Sequence, residues 1–373
     1  MNDQELLNKL IGFDSQSQNS NREIVDFIFS LFPKEIITIT PVKKGDLEIF
    51  NLQLKFAGES HDKPLIFSGH TDTVPTSSKW TRDPFKAENV DGKVYGLGSC
   101  DMKAGVVCMI QSALSIKEKP KQDIYFLFDC DEEVAGAGGK DFIKTVDLKG
   151  GQANVIVAEP TKCELHVGQK GAMEVEVTFY GKAFHSADTN LETNKKHNAI
   201  HKAMLAYSGL SKLEEKLEEK THDLFRVPTQ SICTIRGGTA PNVIPDECSF
   251  NINRRLIPTE TIEEAYADIE KVILDVDPTA KVEMTFQGDS NIVSQDTELF
   301  LNASLISQEI LGEIKIDVIE GWTQAGLFKQ WGNCLIWGPG DFMMAHQADE
   351  YVEFDHIPKM IACYKRLIRT LCF

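Results

Sequence analysis

The stretch Leu65–Asp72, LIFSGHTD, decides the fold predicted for this chain. A short apolar run leads into His70, and the carboxylate of Asp72 follows two positions later. A run of this kind is typical of a strand buried in the middle of a sheet. His70 would then lie at the end of that strand, where we interpret it as a metal ligand. The rest of the chain is expected to supply the other ligands and the walls of the site.

Length and composition indicate an ordinary globular protein with two domains. The chain has 373 residues, of which 42% are hydrophobic and 25% are charged, and chains of this length usually form more than one core. No run of about 18 apolar residues occurs, which argues against a membrane span. The N-terminal sequence MNDQELLNKLIGF lacks the pattern of a secretion signal. We therefore expect a cytoplasmic protein.

Charge and cysteine spacing exclude other classes of function. The net charge is −17, from 39 basic and 56 acidic residues, and such a surface repels phosphate backbones, so nucleic-acid binding is not expected. The nine cysteines are scattered without a CxxC pair, which argues against a disulfide framework or a thiolate zinc site. We expect free, buried thiols.

The first part of the chain alternates between strand and helix patterns. Helices are predicted within 3–32, 102–117 and 138–145, and strands at 46–56, 64–68, 123–128 and 154–158. Strands that alternate with helices indicate an α/β protein, with a mixed, partly parallel sheet flanked by helices.

The pattern changes in the middle of the chain. Strands predicted at 172–180, 231–236, 248–253 and 279–286 and helices at 194–218 and 259–276 give the order β-α-β-β-α-β. This order is typical of a ferredoxin-like α+β domain. The strand–helix alternation returns after about residue 297. We therefore predict a catalytic domain in two parts, 1–170 and 288–373, with 171–287 inserted between them.

Acidic residues follow several of the predicted strands. Glu132 and Glu133 follow one strand, Glu159 follows another, and Asp101 opens the predicted helix after a glycine-rich turn. Taken singly, each has an ordinary explanation as a surface charge or a helix cap. Because sites in open α/β sheets form beyond the carboxyl ends of the strands, we expect these groups and His70 to converge.

Convergence of this kind favours a bound cation. Several carboxylates at one sheet edge repel each other and lose hydration unless positive charge offsets them. Histidine with carboxylates and no thiolate suits zinc, cobalt or manganese. Asp72 is expected to accept the second imidazole proton of His70 through its carboxylate. The best candidate for a second imidazole is His346, just past a predicted strand at 333–337.

Six ordered motifs extend this argument to a family. HTDTVP, YGLGSCDMKAG, DEE, AEPT, GKAFHSA and AHQADEY together resemble the dinuclear zinc aminoacylase/carboxypeptidase family, and the likeness covers nearly the whole chain. The resemblance implies a zinc exopeptidase-like fold, hydrolysis of an amide bond in a small N-acyl amino acid or peptide, and a homodimer formed through the inserted domain.

The resemblance also implies a ligand set for two divalent metal ions. Zinc is the expected metal, with cobalt or manganese as alternatives. Asp101 would bridge the two ions, and the peptide bond after it would be cis. His70 and Glu159 would complete one metal site, and Glu133 and His346 the other.

Further roles follow from the same resemblance. Glu132 would be the general base, and His185 would reach into the partner subunit's site to stabilise the oxyanion. Asn242 and Arg255 match substrate-binding positions, and Arg254 remains an adjacent alternative to Arg255.

The stretches KWTRDPF, DGKVYGLGSCDMK and GPGDFMMAHQADEYV resemble the acetylornithine deacetylase branch, which implies conversion of N-acetylornithine to ornithine and acetate in arginine biosynthesis. GWTQAGLF departs from both the deacetylase and the desuccinylase patterns because Gln324 stands where an acid is usual. A succinyl-diaminopimelate desuccinylase, or a dipeptidase or carboxypeptidase, therefore stays open. A non-catalytic binding protein is disfavoured, since all five metal positions and the base are present.

Overall fold

The computed structural model describes residues 1–146, 148 and 152–373. The chain divides into two compact units. The larger unit comprises Met1–Gly168, Ile292–Asp317 and Thr323–Phe373, and the smaller unit comprises Gln169–Asn291 and Val318–Trp322.

Ten α-helices occur among the described residues. They are α1 (Asp3–Ile11), α2 (Arg22–Ser30), α3 (Ala104–Leu114), α4 (Ala137–Thr145), α5 (Leu191–His197), α6 (Ala199–Leu217), α7 (Ile262–Val276), α8 (Glu298–Leu311), α9 (Ala325–Phe328) and α10 (His356–Cys372). Short 3-10 helices occupy Lys34–Ile36, Ser186–Asp188, Lys329–Trp331 and Phe342–Met344. None of the helices in the described ranges is long and apolar enough to cross a membrane.

Sixteen β-strands occur within the residues that the structure describes. They are β1 (Ile37–Lys44), β2 (Leu47–Phe56), β3 (Ser60–His70), β4 (Glu88–Val90), β5 (Lys93–Tyr95), β6 (Gln122–Asp129), β7 (Ala153–Val157), β8 (Leu165–Gln169), β9 (Gly171–Tyr180), β10 (Thr229–Gly237), β11 (Glu247–Leu256), β12 (Lys281–Gly288), β13 (Asn291–Ile292), β14 (Ile316–Ile319), β15 (Gly332–Ile336) and β16 (Tyr351–Glu353).

The large sheet is mixed, and its centre is parallel. Seven of its nine strands lie in the order β1-β2-β6-β3-β7-β15-β8. Strand β3 runs parallel to both β6 and β7, and β15 runs parallel to β7. The outer pairs β1–β2 and β2–β6 are antiparallel. The predicted fold class, a mixed and partly parallel sheet flanked by helices, is confirmed.

The apolar run of β3 forms the middle of the core, as its sequence predicts. Leu65, Ile66 and Phe67 are almost completely buried. The ring of Phe67 stacks on Phe126 of β6 with a centroid distance of 5.1 Å and contacts Tyr364 of α10 at 4.9 Å. Complete burial of one such side chain stabilises the fold by about 1.5–3 kcal/mol. The core therefore fixes the position at which β3 ends.

The smaller unit is an antiparallel sheet covered by helices. Its strands lie in the order β10-β11-β9-β12. Along the chain they form the β-α-β-β-α-β order with α6 and α7. Alternate residues of β9 are buried from Val175 to Phe179, where they pack with α6 and α7 in one apolar core. This is the ferredoxin-like arrangement predicted from the sequence.

Two details of the secondary structure differ from the sequence predictions. Strands β1 and β8 and the very short strands β4, β5, β13 and β16 were not predicted. Strand β1 is mostly exposed or half-buried and contains Pro41, β8 has only five residues, and the other four have two or three residues each. The helix predicted at 194–218 is instead two helices that meet at Asn198. The side chain of Asn198 accepts a hydrogen bond from the backbone N–H of His201 at 3.0 Å and so begins α6.

Candidate metal centre

Three parallel strands bring their carboxyl ends to one edge of the large sheet. His70 is the last residue of β3, and Glu159 follows β7 by two residues. Glu132 and Glu133 follow β6, which ends at Asp129. Because β6, β3 and β7 are neighbours, the predicted convergence of these side chains follows from the strand order.

The first group of candidate ligands consists of His70, Asp101 and Glu159, whose ligand atoms lie within 4.8 Å of one another. The Nε2 atom of His70 is 3.2 Å from Oδ1 of Asp101 and 3.8 Å from Oε1 of Glu159. All three residues are buried. This group can hold a cation away from bulk solvent.

The second group consists of Asp101, Glu133 and His346. The Nε2 atom of His346 is 2.9 Å from Oε2 of Glu133 and 3.5 Å from Oδ2 of Asp101. The side chain of His346 is 56% exposed, whereas that of Glu133 is 4% exposed. The second group therefore reaches solvent, and the two oxygens of Asp101 face different groups.

Two buried oxygen atoms in these groups lack a hydrogen-bond partner: Oε1 of Glu133 and Oε1 of Glu159. Burial raises the pKa of Glu159, and the negative charge of Asp101 raises it further. Burial also raises the pKa of Glu132, and Glu159 adds to this rise. Two imidazoles and three carboxylates without a thiolate are suitable ligands for zinc, cobalt or manganese. The donor set therefore fits divalent cations.

The two histidines respond to the same negative charge. Hydrogen bonds with Asp101 and Glu133 raise the pKa of His346 to about 11. Burial opposes ionisation of Asp101, but its hydrogen bonds with His346 and His70 hold its pKa below the ordinary value. The edge of the sheet is thus a place where positive charge is strongly favoured.

Asp101 does not open α3, and that prediction was wrong. It lies in an irregular turn, Ser99–Lys103, with φ −117° and ψ 95°, and α3 begins only at Ala104. The peptide bond between Asp101 and Met102 is cis, as the family resemblance implied. The turn directs the Asp101 carboxylate toward both histidines, which an N-cap at the start of a helix would not require.

Asp72 contacts His70, but the prediction that its carboxylate makes this hydrogen bond is also wrong. The Nδ1 atom of His70 lies 2.9 Å from the backbone carbonyl oxygen of Asp72, while the nearest carboxylate oxygen is 3.7 Å away. The carboxylate instead accepts the backbone N–H groups of Glu132 at 3.2 Å and Glu133 at 3.3 Å. Asp72 thus orients the imidazole with its main chain and the two glutamates with its side chain.

Two further buried polar residues adjoin the centre, and the sequence interpretation gave neither a role there. The Glu350 carboxylate accepts backbone N–H groups of the turn that carries Asp101. The Nε2 atom of Gln324 donates to Oδ2 of Asp129 at 3.1 Å. The only sequence feature that could have pointed to Glu350 is its position four residues after His346 in AHQADE. No sequence feature predicts the contact between Gln324 and Asp129.

His185 and Asn242 lie next to each other in the smaller unit. The backbone N–H of Ser186 donates to the carbonyl oxygen of Asn242 at 3.0 Å, and His185 forms an isolated β-bridge with Val243. The Nδ1 atom of His185 accepts the N–H of Ala187 at 3.1 Å. Both candidate side chains are exposed and available to a ligand.

The two adjacent arginines have different surroundings. Arg254 is 2% exposed, and its Nη2 atom lies 2.5 Å from Oε1 of Glu260. Arg255 is half-buried on the other face of β11 and donates from Nε to Oδ1 of Asn253 at 3.2 Å. Because a buried ion pair engages Arg254, Arg255 is the freer of these two side chains to bind a ligand.

Comparisons with known proteins identify a solved structure with the same fold and relatives that are similar in sequence along nearly the whole chain. A Staphylococcus aureus tripeptidase has the same fold, with a TM-score of 0.76 at 18% identity over 99% of this chain and 98% of that chain. Acetylornithine deacetylase of Pectobacterium atrosepticum is 30% identical over 370 residues, which cover 96% of this chain and 93% of that protein. A probable succinyl-diaminopimelate desuccinylase of Staphylococcus aureus is 28% identical over 393 residues, with 94% and 93% covered.

The family itself is defined by a match along most of the chain. The sequence profile of Peptidase family M20/M25/M40 matches residues 66–370, a range that includes every candidate ligand. The predicted resemblance to a family of metal-dependent aminoacylases and peptidases is confirmed. The chain belongs to Peptidase family M20/M25/M40 and is a metallohydrolase of amide or peptide bonds.

Proposed function

We propose that this enzyme uses two divalent metal ions to hydrolyse the amide bond of an N-acylated amino acid, and that its substrate is N-acetylornithine. The observation that carries the proposal is the placement of Asp101. Its Oδ1 atom is 3.2 Å from Nε2 of His70, and its Oδ2 atom is 3.5 Å from Nε2 of His346. A carboxylate whose two oxygens face two ligand groups suits a pair of adjacent cations.

The ligand assignment follows the two groups. His70, Asp101 and Glu159 would hold one ion, and Asp101, Glu133 and His346 would hold the other. Zinc is the proposed metal, with cobalt or manganese as alternatives that the same donors accept. When bound, such ions lower the pKa of a water molecule and polarise the amide carbonyl.

Glu132 is the proposed general base. It accepts a proton from the attacking water and returns it to the nitrogen of the leaving amine. Its backbone N–H is held by Oδ1 of Asp72 at 3.2 Å, and its charge interacts with Glu159 and Glu133, which supports a position beside both ligand groups. Asp72 thereby fixes the position of this segment relative to the imidazole of His70.

The substrate and oxyanion contacts are assigned to the smaller unit. Arg255 would pair with the substrate carboxylate, and Asn242 would donate a hydrogen bond to the substrate. His185 would stabilise the oxyanion in the site of a partner subunit. The adjacency of His185 and Asn242 supports a shared role for these two loops.

A homodimer would form through the inserted domain, for which we propose the bounds 171–287. Strand β10 lies at an edge of the four-stranded sheet, and unpaired strand edges are natural surfaces for association. On α6, Met204, Leu205 and Tyr207 are 56%, 44% and 51% exposed. An exposed strand edge and apolar side chains on a helix of the same unit support an interface between two copies.

The identity of the substrate is the part of the proposal that has two alternatives. The relatives named as a deacetylase and as a probable desuccinylase are 30% and 28% identical to this chain, so overall similarity does not separate them. The stretches KWTRDPF and GPGDFMMAHQADEYV favour acetylornithine, which would place the enzyme in arginine biosynthesis in the cytoplasm. Desuccinylation, or cleavage of a dipeptide, is the alternative.

A substrate panel tests the proposal. The zinc-loaded and the cobalt-loaded protein would each be assayed against N-acetylornithine, N-succinyl-diaminopimelate and a set of dipeptides. The highest kcat/KM is expected for N-acetylornithine, with release of acetate in equal amount to ornithine. A preference for the succinyl substrate or for dipeptides would replace the substrate but keep the reaction class. No hydrolysis of any member would overturn the proposal.

A further inference from the structure

Glu350 forms an unusually concentrated set of hydrogen bonds. It lies four residues after His346 and is 2% exposed. Its Oε1 atom accepts the backbone N–H groups of Cys100 and Asp101, both at 2.8 Å, and its Oε2 atom accepts the N–H of Gly98 at 2.8 Å. One buried side chain thus binds three backbone N–H groups, those of Gly98, Cys100 and Asp101 itself.

The main chain of Glu350 reinforces the same contact. Its carbonyl oxygen accepts the N–H of Gly96 at 3.0 Å and the hydroxyl of Ser99 at 3.2 Å. Immediately after it, β16 pairs antiparallel with β5, so that Tyr351 lies opposite Tyr95. The segment that carries His346 is therefore joined along several residues to the segment that leads into the Asp101 turn.

The chemistry of the turn explains why a carboxylate is present. Residues 98–101 precede α3, so their N–H groups have no partner in the ladder of that helix, and buried backbone donors need a partner elsewhere. Gly98 has φ 72°, and a turn of this kind can direct successive N–H groups toward one anion. These backbone hydrogen bonds only partly offset the burial of the carboxyl group, which raises the pKa of Glu350 to about 8.

Glu350 is in neither of the two ligand groups that contain Asp101. Its contacts instead determine where Asp101 lies relative to His346. Glu350 binds the turn that carries Asp101, and it belongs to the same segment as His346. A shift of the turn would displace the single ligand that both groups share. Loss of Glu159, in contrast, would remove a ligand from the first group only.

We propose that Glu350 is a positioning residue that sets the affinity of both metal sites by holding the Asp101 turn against the His346 segment. This inference rests on the proposed function, since it takes Asp101 and His346 as metal ligands. Residues that orient metal ligands typically change metal affinity by about 10- to 100-fold when they are replaced. We expect a change of that size at both sites.

Metal titration of the purified enzyme tests this directly. Cobalt and zinc binding would be measured by competition with a chelator, well below the unfolding temperature, for the wild type, Glu350→Gln and Glu350→Ala. Gln keeps one acceptor oxygen but sets an NH2 group against a backbone N–H, so it should weaken both sites about 10-fold, and Ala should weaken them more. The visible spectrum of bound cobalt should change in both variants.

Glu260→Gln is the matched control. Glu260 is also a glutamate whose side chain is only 5% exposed and accepts a backbone N–H, from Ile257 at 3.1 Å, and it pairs with Arg254 in the smaller unit. Its replacement should lower the melting temperature while metal affinities and the cobalt spectrum stay unchanged. A general loss of stability is thereby separated from an effect on the ligands.

The outcomes separate this inference from the proposed function. Failure of the wild type to bind two ions would contradict the proposed function. Two ions in the wild type, with Glu350→Gln binding both within about twofold of wild-type affinity, would overturn the positioning role and leave the function intact. Weakening of one site alone would also contradict the inference. If Glu350→Ala does not fold, the near-isosteric Gln variant decides the question.

Discussion

The Nδ1 atom of His70 lies 2.9 Å from the backbone carbonyl oxygen of Asp72, and the carboxylate of Asp72 lies 3.7 Å away. The main chain therefore holds the proton on Nδ1 and leaves Nε2 to face Asp101. The carboxylate is free to bind the backbone N–H groups of Glu132 and Glu133. Asp72 links the first ligand group to the proposed base by two different atoms.

Asp72→Asn separates these two roles. The carbonyl oxygen that orients His70 remains, so the affinity of the first metal site should stay within about threefold of the wild type. In contrast, kcat should fall by about 10- to 100-fold, because the backbone N–H of either Glu132 or Glu133 then faces an NH2 group instead of an acceptor oxygen. Steady-state kinetics together with metal analysis would check this. Loss of one ion with unchanged kcat would show that the carboxylate, and not the carbonyl, orients the imidazole.

His70→Ala should weaken one metal selectively. His70 is in the first ligand group and not in the second, so the variant is expected to retain one tightly held ion per chain and lose the other. His346→Ala is the complementary variant, with the opposite site weakened. Metal content after dialysis against a weak chelator gives the measurement. Two tightly held ions in His70→Ala would contradict the ligand assignment.

The acid stability of the smaller unit should depend on Asp277. Its carboxylate accepts the Lys202 ammonium at 2.6 Å and the N–H and hydroxyl of Thr279 at 2.9 and 2.7 Å. Burial opposes the charged form, but these hydrogen bonds, led by that of Lys202, lower the pKa of Asp277 below its ordinary value of 3.8. A carboxyl group with a lowered folded pKa stabilises the fold above its unfolded pKa, and this contribution is lost as pH falls through the folded pKa.

Asp277→Asn should therefore lower the free energy of unfolding by about 1–2 kcal/mol near neutral pH and flatten its decline in acid. Urea unfolding at a series of pH values from about 7 to about 3 would measure both effects. Asp275→Asn is the control, because Asp275 pairs with Lys271 at an exposed position. An unchanged acid dependence in Asp277→Asn would refute the linkage.

Thiol reactivity should distinguish one cysteine from the other eight. Cys233 is exposed, and the remaining eight are buried. Burial raises the pKa of thiols such as Cys100 and Cys334 and keeps reagents away from them. The native protein is expected to react rapidly at one thiol and the urea-unfolded protein at nine. Rapid reaction of two or more thiols, or an unchanged count in Cys233→Ser, would contradict the burial pattern.

The arrangement of the centre was predictable where it depends on strand order. His70 and Glu159 follow continuous apolar runs, and parallel neighbours bring the ends of such strands together whatever the loops do. Six motifs then indicated the family. The fold class followed from the alternation of strand and helix patterns.

The finer contacts could not be predicted because they depend on backbone angles and on distant segments. Whether the carbonyl or the carboxylate of Asp72 meets His70 depends on how the chain turns after β3. The bonds of Glu350 join residues about 250 positions apart, and no local pattern encodes them. Strand β1 escaped prediction because its mixed, half-exposed side chains show neither a buried run nor a clean alternation.

Glu132→Gln tests the proposed mechanism at its central step, through its turnover of N-acetylornithine and its metal content. Glu132 is assigned to proton transfer and not to metal binding, and a general base contributes about 10²- to 10⁴-fold to a rate. We expect two bound ions per chain, as in the wild type, and a kcat reduced by that factor. Turnover close to that of the wild type, or loss of a metal ion from the variant, would contradict the role of Glu132.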